Sequence, residues 1–128
     1  MSDIPNYIKS QRGLACREYM RVLLPALRFR AKSCGYALAV HGSMQRDIDV
    51  VAVPWREHAV GAEDLIAAIR EIVKAVTRID HVEGPTPKPA GRAAWSLHLT
   101  AYGGDGPYLD ISVFGPTTKP SEAAEATQ

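Results

Sequence analysis

Apolar residues recur three or four positions apart in two long stretches of the chain, and this spacing predicts two helices. The first runs from about residue 14 to residue 32, and Pro25 inside it predicts either a kink or the start of a second helix. The second covers residues 62–78, where a continuous apolar stripe predicts one face buried against a core. Residues 1–10 lack such a pattern and are predicted to be a loose lead-in.

Shorter segments alternate apolar and polar residues or are rich in β-branched residues, which predicts strands. Segment 93–102 illustrates the alternation, because Trp95 and Leu97 flank the polar Ser96. Glycine and proline dominate residues 84–91, which are therefore predicted to form a loop without regular structure. The predicted strands are 36–41, 47–54, 79–83, 93–102 and 108–114.

The order of these elements predicts an α+β fold, with a mixed or antiparallel sheet backed by helices on one face. Strands 36–41 and 47–54 are joined by so few residues that they are expected to form a hairpin, and the last two strands are expected to pair antiparallel. Residues 1–114 are predicted to form a single domain. Residues 115–128 contain no large apolar residue and are predicted to be a disordered tail.

Composition excludes several classes of protein. The net charge of +1 gives no electrostatic drive toward nonspecific nucleic-acid binding, and no apolar stretch approaches the ~20 residues that a membrane span needs. The N-terminal residues show no basic region followed by an apolar run, so no signal peptide is predicted. Cys16 and Cys34 are the only cysteines, which favours free thiols in a reducing cytosol over a disulfide framework.

Two aspartates open the strand at 47–54, although acidic residues are normally depleted in strands. Alternate residues of a strand point to the same face, so Asp47 and Asp49 share a face about 7 Å apart while Ile48 points toward the core. Two ionised carboxylates on one face repel each other unless a cation lies between them. Mg²⁺ prefers carboxylate ligands together with substrate phosphates, so the pair predicts a divalent metal site.

Asp110 is a third acidic residue in a strand-like segment, and pairing of its strand with the Asp47 strand would bring three carboxylates together. Three carboxylates suffice to hold two metal ions about 3.5–4 Å apart. The turn of Gly42 and Ser43 is suited to phosphate, because glycine allows close approach and main-chain N–H groups bind phosphate oxygens. Arg46 is suited either to phosphate or to a neighbouring aspartate, and the sequence leaves both roles open.

His41 and His98, two of the three histidines within the predicted strands, are expected to have ordinary roles. His41 is predicted to be a packed residue at the end of its strand, and His98 a solvated or sheet-face residue. Neither is predicted to ligate a metal.

Four features occur in an order typical of a known family: a Gly-Ser turn, an arginine, an Asp-x-Asp pair and a later strand aspartate. This set resembles the signature of the nucleotidyltransferase superfamily with the DNA-polymerase-beta-like fold, in its minimal form, over roughly residues 14–114. The resemblance implies catalytic carboxylates that bind Mg²⁺ or Mn²⁺, and a turn that contacts the nucleotide. The implied metal ligands are Asp47, Asp49 and Asp110, and the implied nucleotide-binding residues are Gly42, Ser43 and Arg46.

The sequence departs from the family pattern at one point. Arg46 directly precedes Asp47, whereas the family usually has a longer insertion between these positions. The short helix that follows the Gly-Ser turn is therefore expected to shrink to one turn.

The resemblance implies a Mg-dependent nucleotidyltransferase that moves a nucleoside monophosphate from a nucleoside triphosphate to a hydroxyl acceptor. The acceptor is left open among a protein, a nucleic-acid end, a small molecule and another nucleotide. Two alternatives remain: a nucleotide-binding, antitoxin-like or regulatory partner protein of the same fold with little or no turnover, and a metal-dependent phosphoesterase. A protein partner or a homodimer is a further expectation, as are a cytoplasmic location and the absence of a membrane association.

Overall fold

The computed structural model describes residues 6–44, 46–100 and 106–115, with side chains from residue 13 onward. Two α-helices and five strands make up this part of the chain, and a short 3-10 turn at Pro89–Gly91 joins the third and fourth strands. In chain order the elements are α1 (Asn6–Ser33), β1 (Tyr36–His41), β2 (Ile48–Pro54), α2 (Ala62–Thr77), β3 (Val82–Lys88), β4 (Arg92–His98) and β5 (Tyr108–Val113). Neither helix in these residues has an apolar run long enough to cross a membrane.

The five strands form one mixed sheet in the order β1-β2-β5-β4-β3. Neighbouring strands are antiparallel, except that β2 and β5 run parallel. The predicted hairpin of β1 with β2 and the predicted antiparallel pairing of β4 with β5 are both confirmed. The predicted α+β class with a mixed sheet is therefore confirmed as well.

Alternation along the central strands places the core on one face of the sheet. Ile48 and Val50 of β2 and Leu109 and Ile111 of β5 are almost fully buried, whereas the residues between them are only partly buried. These side chains form one apolar cluster with the inner faces of both helices. Because the helices cover this face, the opposite face of the sheet is the one that presents polar side chains.

Helix α1 is longer and more regular than the sequence predicts. It begins at Asn6, so the loose lead-in predicted for residues 1–10 is wrong for residues 6–10. It also continues across Pro25, which excludes a restart there. Leu23 and Leu27 lie on the buried side of the helix, whereas Pro25 is exposed. Burying two leucines at roughly 2 kcal/mol each offsets the roughly 3 kcal/mol that an interior proline costs.

The loop predicted for residues 84–91 is wrong for most of its length, because residues 84–88 belong to strand β3. This strand pairs only with β4 and lies at the edge of the sheet. Proline is tolerated at an edge, where its missing N–H faces no neighbour. Gly84 has a φ of +126°, and a Cβ there would lie 2.7 Å from the carbonyl oxygen of Ala94, so only glycine fits this irregular point of the ladder. Beyond Gly115, the predicted disordered tail (115–128) lies outside the described residues.

Candidate active site

The strand register aligns five polar side chains in a single line across the sheet. Asp49 of β2 pairs with His41 of β1 and with Asp110 of β5. Asp110 pairs in turn with Ser96 of β4, and Ser96 pairs with Glu83 of β3. Paired residues on adjacent strands project from the same face about 5 Å apart. We call this line the polar row, and it lies on the face that the helices leave uncovered.

Asp47 lies next to the polar row, at the entrance to β2. Its Oδ1 accepts a hydrogen bond from the main-chain N–H of Tyr108 at 3.0 Å. Tyr108 is the first residue of β5, so this bond ties the start of β2 to the start of β5. The parallel pairing of β2 with β5 thus places Asp49 and Asp110 on adjacent strands, with Asp47 immediately before β2.

Burial is the largest influence on Asp49 and raises its pKa above the ordinary value. The nearby His41 opposes this rise, and the like charge of Asp47 adds to it. Partial desolvation and repulsion by Asp47 thus both disfavour the ionised carboxylate, and a cation beside it would oppose both effects.

Asp110 is in the same electrostatic situation. Burial raises its pKa most, and the charges of Asp47 and Asp49 raise it further. Two contacts act in the other direction: the Ser96 hydroxyl donates a hydrogen bond to Oδ1 at 2.6 Å, and Lys88 contributes positive charge. The net effect still raises the pKa of Asp110, so the local protein groups do not fully compensate its negative charge.

The donor set of this cluster fits a hard divalent cation, since carboxylate oxygens are the ligands that Mg²⁺ and Mn²⁺ prefer. The side chains are not yet gathered around one point. Among the described residues, the group of three side chains whose ligand atoms all lie within 4.8 Å of one another is His81, Glu83 and His98, not the three aspartates. The backbone places the aspartates on neighbouring strands, and side-chain rotation would have to bring their oxygens onto a common ion.

A tight turn passes directly over Asp49. Gly42 has a φ of +83°, and a Cβ at this position would lie 2.9 Å from Asp49 Oδ2. A larger residue would therefore press on the carboxylate as well as strain the backbone. Ser43 and Arg46 are exposed on the same turn, and no helical turn follows Gly42 within its described residues, so the expected one-turn helix is not formed there.

Three members of the polar row, His41, Ser96 and Glu83, are not predicted as site residues by the sequence. His41 is exposed beside Asp49, so the prediction that it packs at the end of its strand is wrong. Its position follows from the alternation of β1, where residues 37, 39 and 41 point away from the core. Ser96 could have been found in the same way, because it alternates with two buried residues on a strand predicted to pair with that of Asp110. The expectation that His98 is a sheet-face residue is correct, although it is 6% exposed rather than solvated.

Comparison with known proteins gives matches among solved structures only. No protein-family profile matches the chain, and no curated protein matches it in sequence. The chain is similar to a crystal structure of the Cid1 poly(U) polymerase with MgGTP bound, with 17% identity and a TM-score of 0.49 over 80% of this chain and 32% of that one. Another crystal structure of Cid1 poly(U) polymerase matches with 17% identity and a TM-score of 0.41, over 94% of this chain and 38% of that one. The chain spans about a third of the length of these structures.

Proposed function

We propose that this chain is a nucleotidyltransferase that uses Mg²⁺ or Mn²⁺ to move a nucleoside monophosphate from a nucleoside triphosphate to a hydroxyl acceptor. The observation that carries the proposal is the pairing of Asp49 with Asp110 on the parallel strands β2 and β5, next to Asp47. Burial and the neighbouring carboxylates raise the pKa of both residues. A site that concentrates negative charge in this way is stabilised by a bound cation.

Asp47, Asp49 and Asp110 would hold the metal. When bound, the metal neutralises charge on the triphosphate and lowers the pKa of the acceptor hydroxyl. Two of these ligands are positioned by hydrogen bonds, since Tyr108 N–H donates to Asp47 and the Ser96 hydroxyl donates to Asp110. Such bonds keep the carboxylates on the uncovered face, where a substrate has access to them.

The turn above Asp49 would receive the phosphates. Gly42 leaves the space beside the carboxylate open, so that main-chain N–H groups of the turn reach phosphate oxygens. Ser43 and Arg46 are exposed on this turn, and a guanidinium suits phosphate oxygens. In the reaction, the acceptor hydroxyl attacks the α-phosphorus in line and pyrophosphate leaves.

Nucleotide binding is tested by thermal unfolding with each of the four nucleoside triphosphates and millimolar Mg²⁺. A ligand at 100 times its Kd stabilises the folded state by roughly 2.7 kcal/mol, so the wild-type melting temperature should rise. Asp49→Asn should abolish the rise. The control is Asp64→Asn, which changes an exposed aspartate in the first turn of α2 and should leave the rise intact. An unchanged wild-type melting curve with all four nucleotides would contradict a nucleotide site.

Turnover is tested with triphosphates labelled on the α-phosphate, offered with RNA, proteins and small hydroxyl compounds. We expect Asp110→Asn to lose transfer more than nucleotide affinity, whereas Asp47→Asn and Asp49→Asn lose both. The reason is that one ion is held largely by the phosphates while the other acts on the nucleophile. Equal loss of calorimetric affinity in all three variants would contradict this division of roles, and wild-type transfer by Asp110→Asn would refute the catalytic assignment. Release of free nucleoside monophosphate would identify a phosphoesterase instead.

A further inference from the structure

Two histidines and a glutamate meet at the far end of the polar row, away from β1. His81 immediately precedes β3, Glu83 lies within β3, and His98 ends β4. The Nε2 atoms of His98 and His81 lie 3.1 Å and 3.5 Å from the same oxygen, Oε2 of Glu83. The three ligand atoms all lie within 4.8 Å of one another.

These separations match the edges of a tetrahedral metal site. Zinc binds imidazole nitrogen and carboxylate oxygen at about 2.0–2.2 Å, and tetrahedral angles then place neighbouring ligand atoms roughly 3.3–3.5 Å apart. Of the two distances to Glu83 Oε2, 3.5 Å equals the upper end of this range and 3.1 Å is slightly shorter than its lower end. The third separation, between the two histidines, is within 4.8 Å.

The local structure holds the ligands in place without a metal. The main-chain N–H of His98 donates to the carbonyl of His81 at 2.9 Å, which fixes the two backbones side by side. The His98 ring is 6% exposed and packs between the rings of His81 and Tyr108, with centroids 4.2 Å and 4.5 Å away. A site whose ligands are already oriented binds a metal with little loss of conformational entropy.

The neighbouring acidic residue does not belong to this group of ligands. Asp80 is next in sequence to His81, but its carboxylate is engaged by Arg70 and Lys74 on α2. Glu83 is exposed at the edge of the sheet. Three protein ligands are the number found in zinc sites whose fourth ligand is water or substrate.

We propose that His81, Glu83 and His98 bind one Zn²⁺, or a similar first-row transition ion, at a site separate from the aspartates. The two sites differ in chemistry, because imidazole favours zinc whereas an all-carboxylate set favours Mg²⁺. They are also separate in space, since Glu83 is two strands away from Asp110 in the polar row, or roughly 10 Å. The bound ion would clamp the edge strand β3 to β4 on the same face as the aspartates.

The test is a calorimetric titration of the full, EDTA-treated chain with ZnCl₂ in millimolar Mg²⁺, which occupies hard oxygen sites. We expect one zinc per chain at this site and a higher melting temperature. Because Glu83 and His81 are not buried, Glu83→Gln and His81→Ala should fold, and each should weaken zinc binding on the order of tenfold or more. His58→Ala, an exposed histidine between β2 and α2, is the matched control and should bind zinc like the wild type.

Cobalt gives a readout of geometry that does not depend on activity. Co²⁺ in a tetrahedral nitrogen and oxygen site absorbs strongly in the visible, and this absorption should disappear in Glu83→Gln. Zinc binding should persist in Asp49→Asn, and Mg-ATP binding in His81→Ala, so failure of one site is distinguishable from failure of the other. The proposal is overturned if the wild type binds no zinc, or if zinc binding is unchanged in both Glu83→Gln and His81→Ala.

Discussion

Replacing Asp110 by asparagine should stabilise the metal-free protein, although it removes a residue assigned to the active site. Asp110 and Asp49 are register partners on adjacent strands. Burial and the neighbouring aspartates raise the pKa of Asp110, so its ionised form is disfavoured in the folded state. Asparagine has nearly the same shape and can still accept the hydrogen bond that Ser96 donates, whereas the repulsion is lost.

The size of the effect follows from the strand spacing. Two unit charges about 5 Å apart repel by roughly 3 kcal/mol at an effective dielectric constant of ~20, and by less than ~1 kcal/mol in bulk water. Asp49 and Asp110 are only partly buried, so the true repulsion lies between these values. The charge-assisted part of the Ser96 hydrogen bond, about 1 kcal/mol, is lost. We therefore expect a net gain of about 1 kcal/mol, which corresponds to a rise in melting temperature of roughly 5 °C for a domain of this size.

The gain should depend on pH in a defined direction. Because the pKa of Asp110 is raised on folding, the wild-type carboxyl contributes its full stability below the unfolded pKa near ~4 and loses it as pH rises through the folded pKa. The advantage of Asp110→Asn should thus be absent near ~pH 3.5 and fully developed at neutral pH.

Denaturant unfolding in EDTA, followed by circular dichroism at several pH values, measures this difference directly. Asp64→Asn is the control, because it removes a charge that the start of α2 favours and should be neutral or slightly destabilising. Adding Mg²⁺ should stabilise the wild type more than it stabilises Asp110→Asn. If Asp110→Asn is less stable than the wild type in EDTA at neutral pH, the carboxylates are not crowded and the case for a cation there fails.

Three further substitutions test the packing around the site. Gly42→Ala should weaken Mg-ATP binding in calorimetry, because the added Cβ would press on Asp49. Gly91→Ala is the control, since it carries the same backbone strain with open space around it and should leave Mg-ATP binding unchanged. Equal effects of the two substitutions would contradict the contact between residue 42 and Asp49. Tyr36→Phe removes a buried hydroxyl, and burial raises the pKa of this hydroxyl to about 12. In denaturant unfolding, the stability of the wild type relative to this variant should therefore fall as pH rises from ~10 toward that value. Parallel pH profiles of the two proteins would contradict the raised pKa. Leu65→Ala empties a fully buried position of α2 and should cost about 2–5 kcal/mol by the same measurement; a loss below ~1 kcal/mol would mean that the helix is not packed as described.

The sequence predicts the helices and strands that bury one face and expose the other. The spacing of apolar residues predicts α2, β1, β2, β4 and β5. Each of these strands buries every second side chain in the core, and α2 buries one face. Strand β3 was largely missed, since almost all of its side chains are exposed and none of them is buried in the core. Prolines that argue against a central strand say little about an edge strand.

The candidate site was predictable only in part, for a related reason. The sequence predicts Asp49 and Asp110 as candidate metal ligands because acidic residues are unusual inside strands. Ser96, His41 and Glu83 are ordinary on a polar strand face, and they gain significance only from their cross-strand partners. Those partners depend on the parallel pairing of β2 with β5, which residue periodicity does not encode.

The order of strands in the sheet has a consequence for how the protein is made. Strand β5 is the last of the described strands along the chain and yet lies in the middle of the sheet. Until it is synthesised, the β1–β2 and β3–β4 hairpins have no strand between them, and isolated hairpins are marginally stable with edges prone to pairing with other chains. Insertion of β5 closes both inner edges and places Asp110 opposite Asp49 in the same step. We therefore expect a nascent chain to lack the Asp49–Asp110 pair until β5 has joined the sheet, so that the candidate site and the stability of the sheet are acquired in the same step.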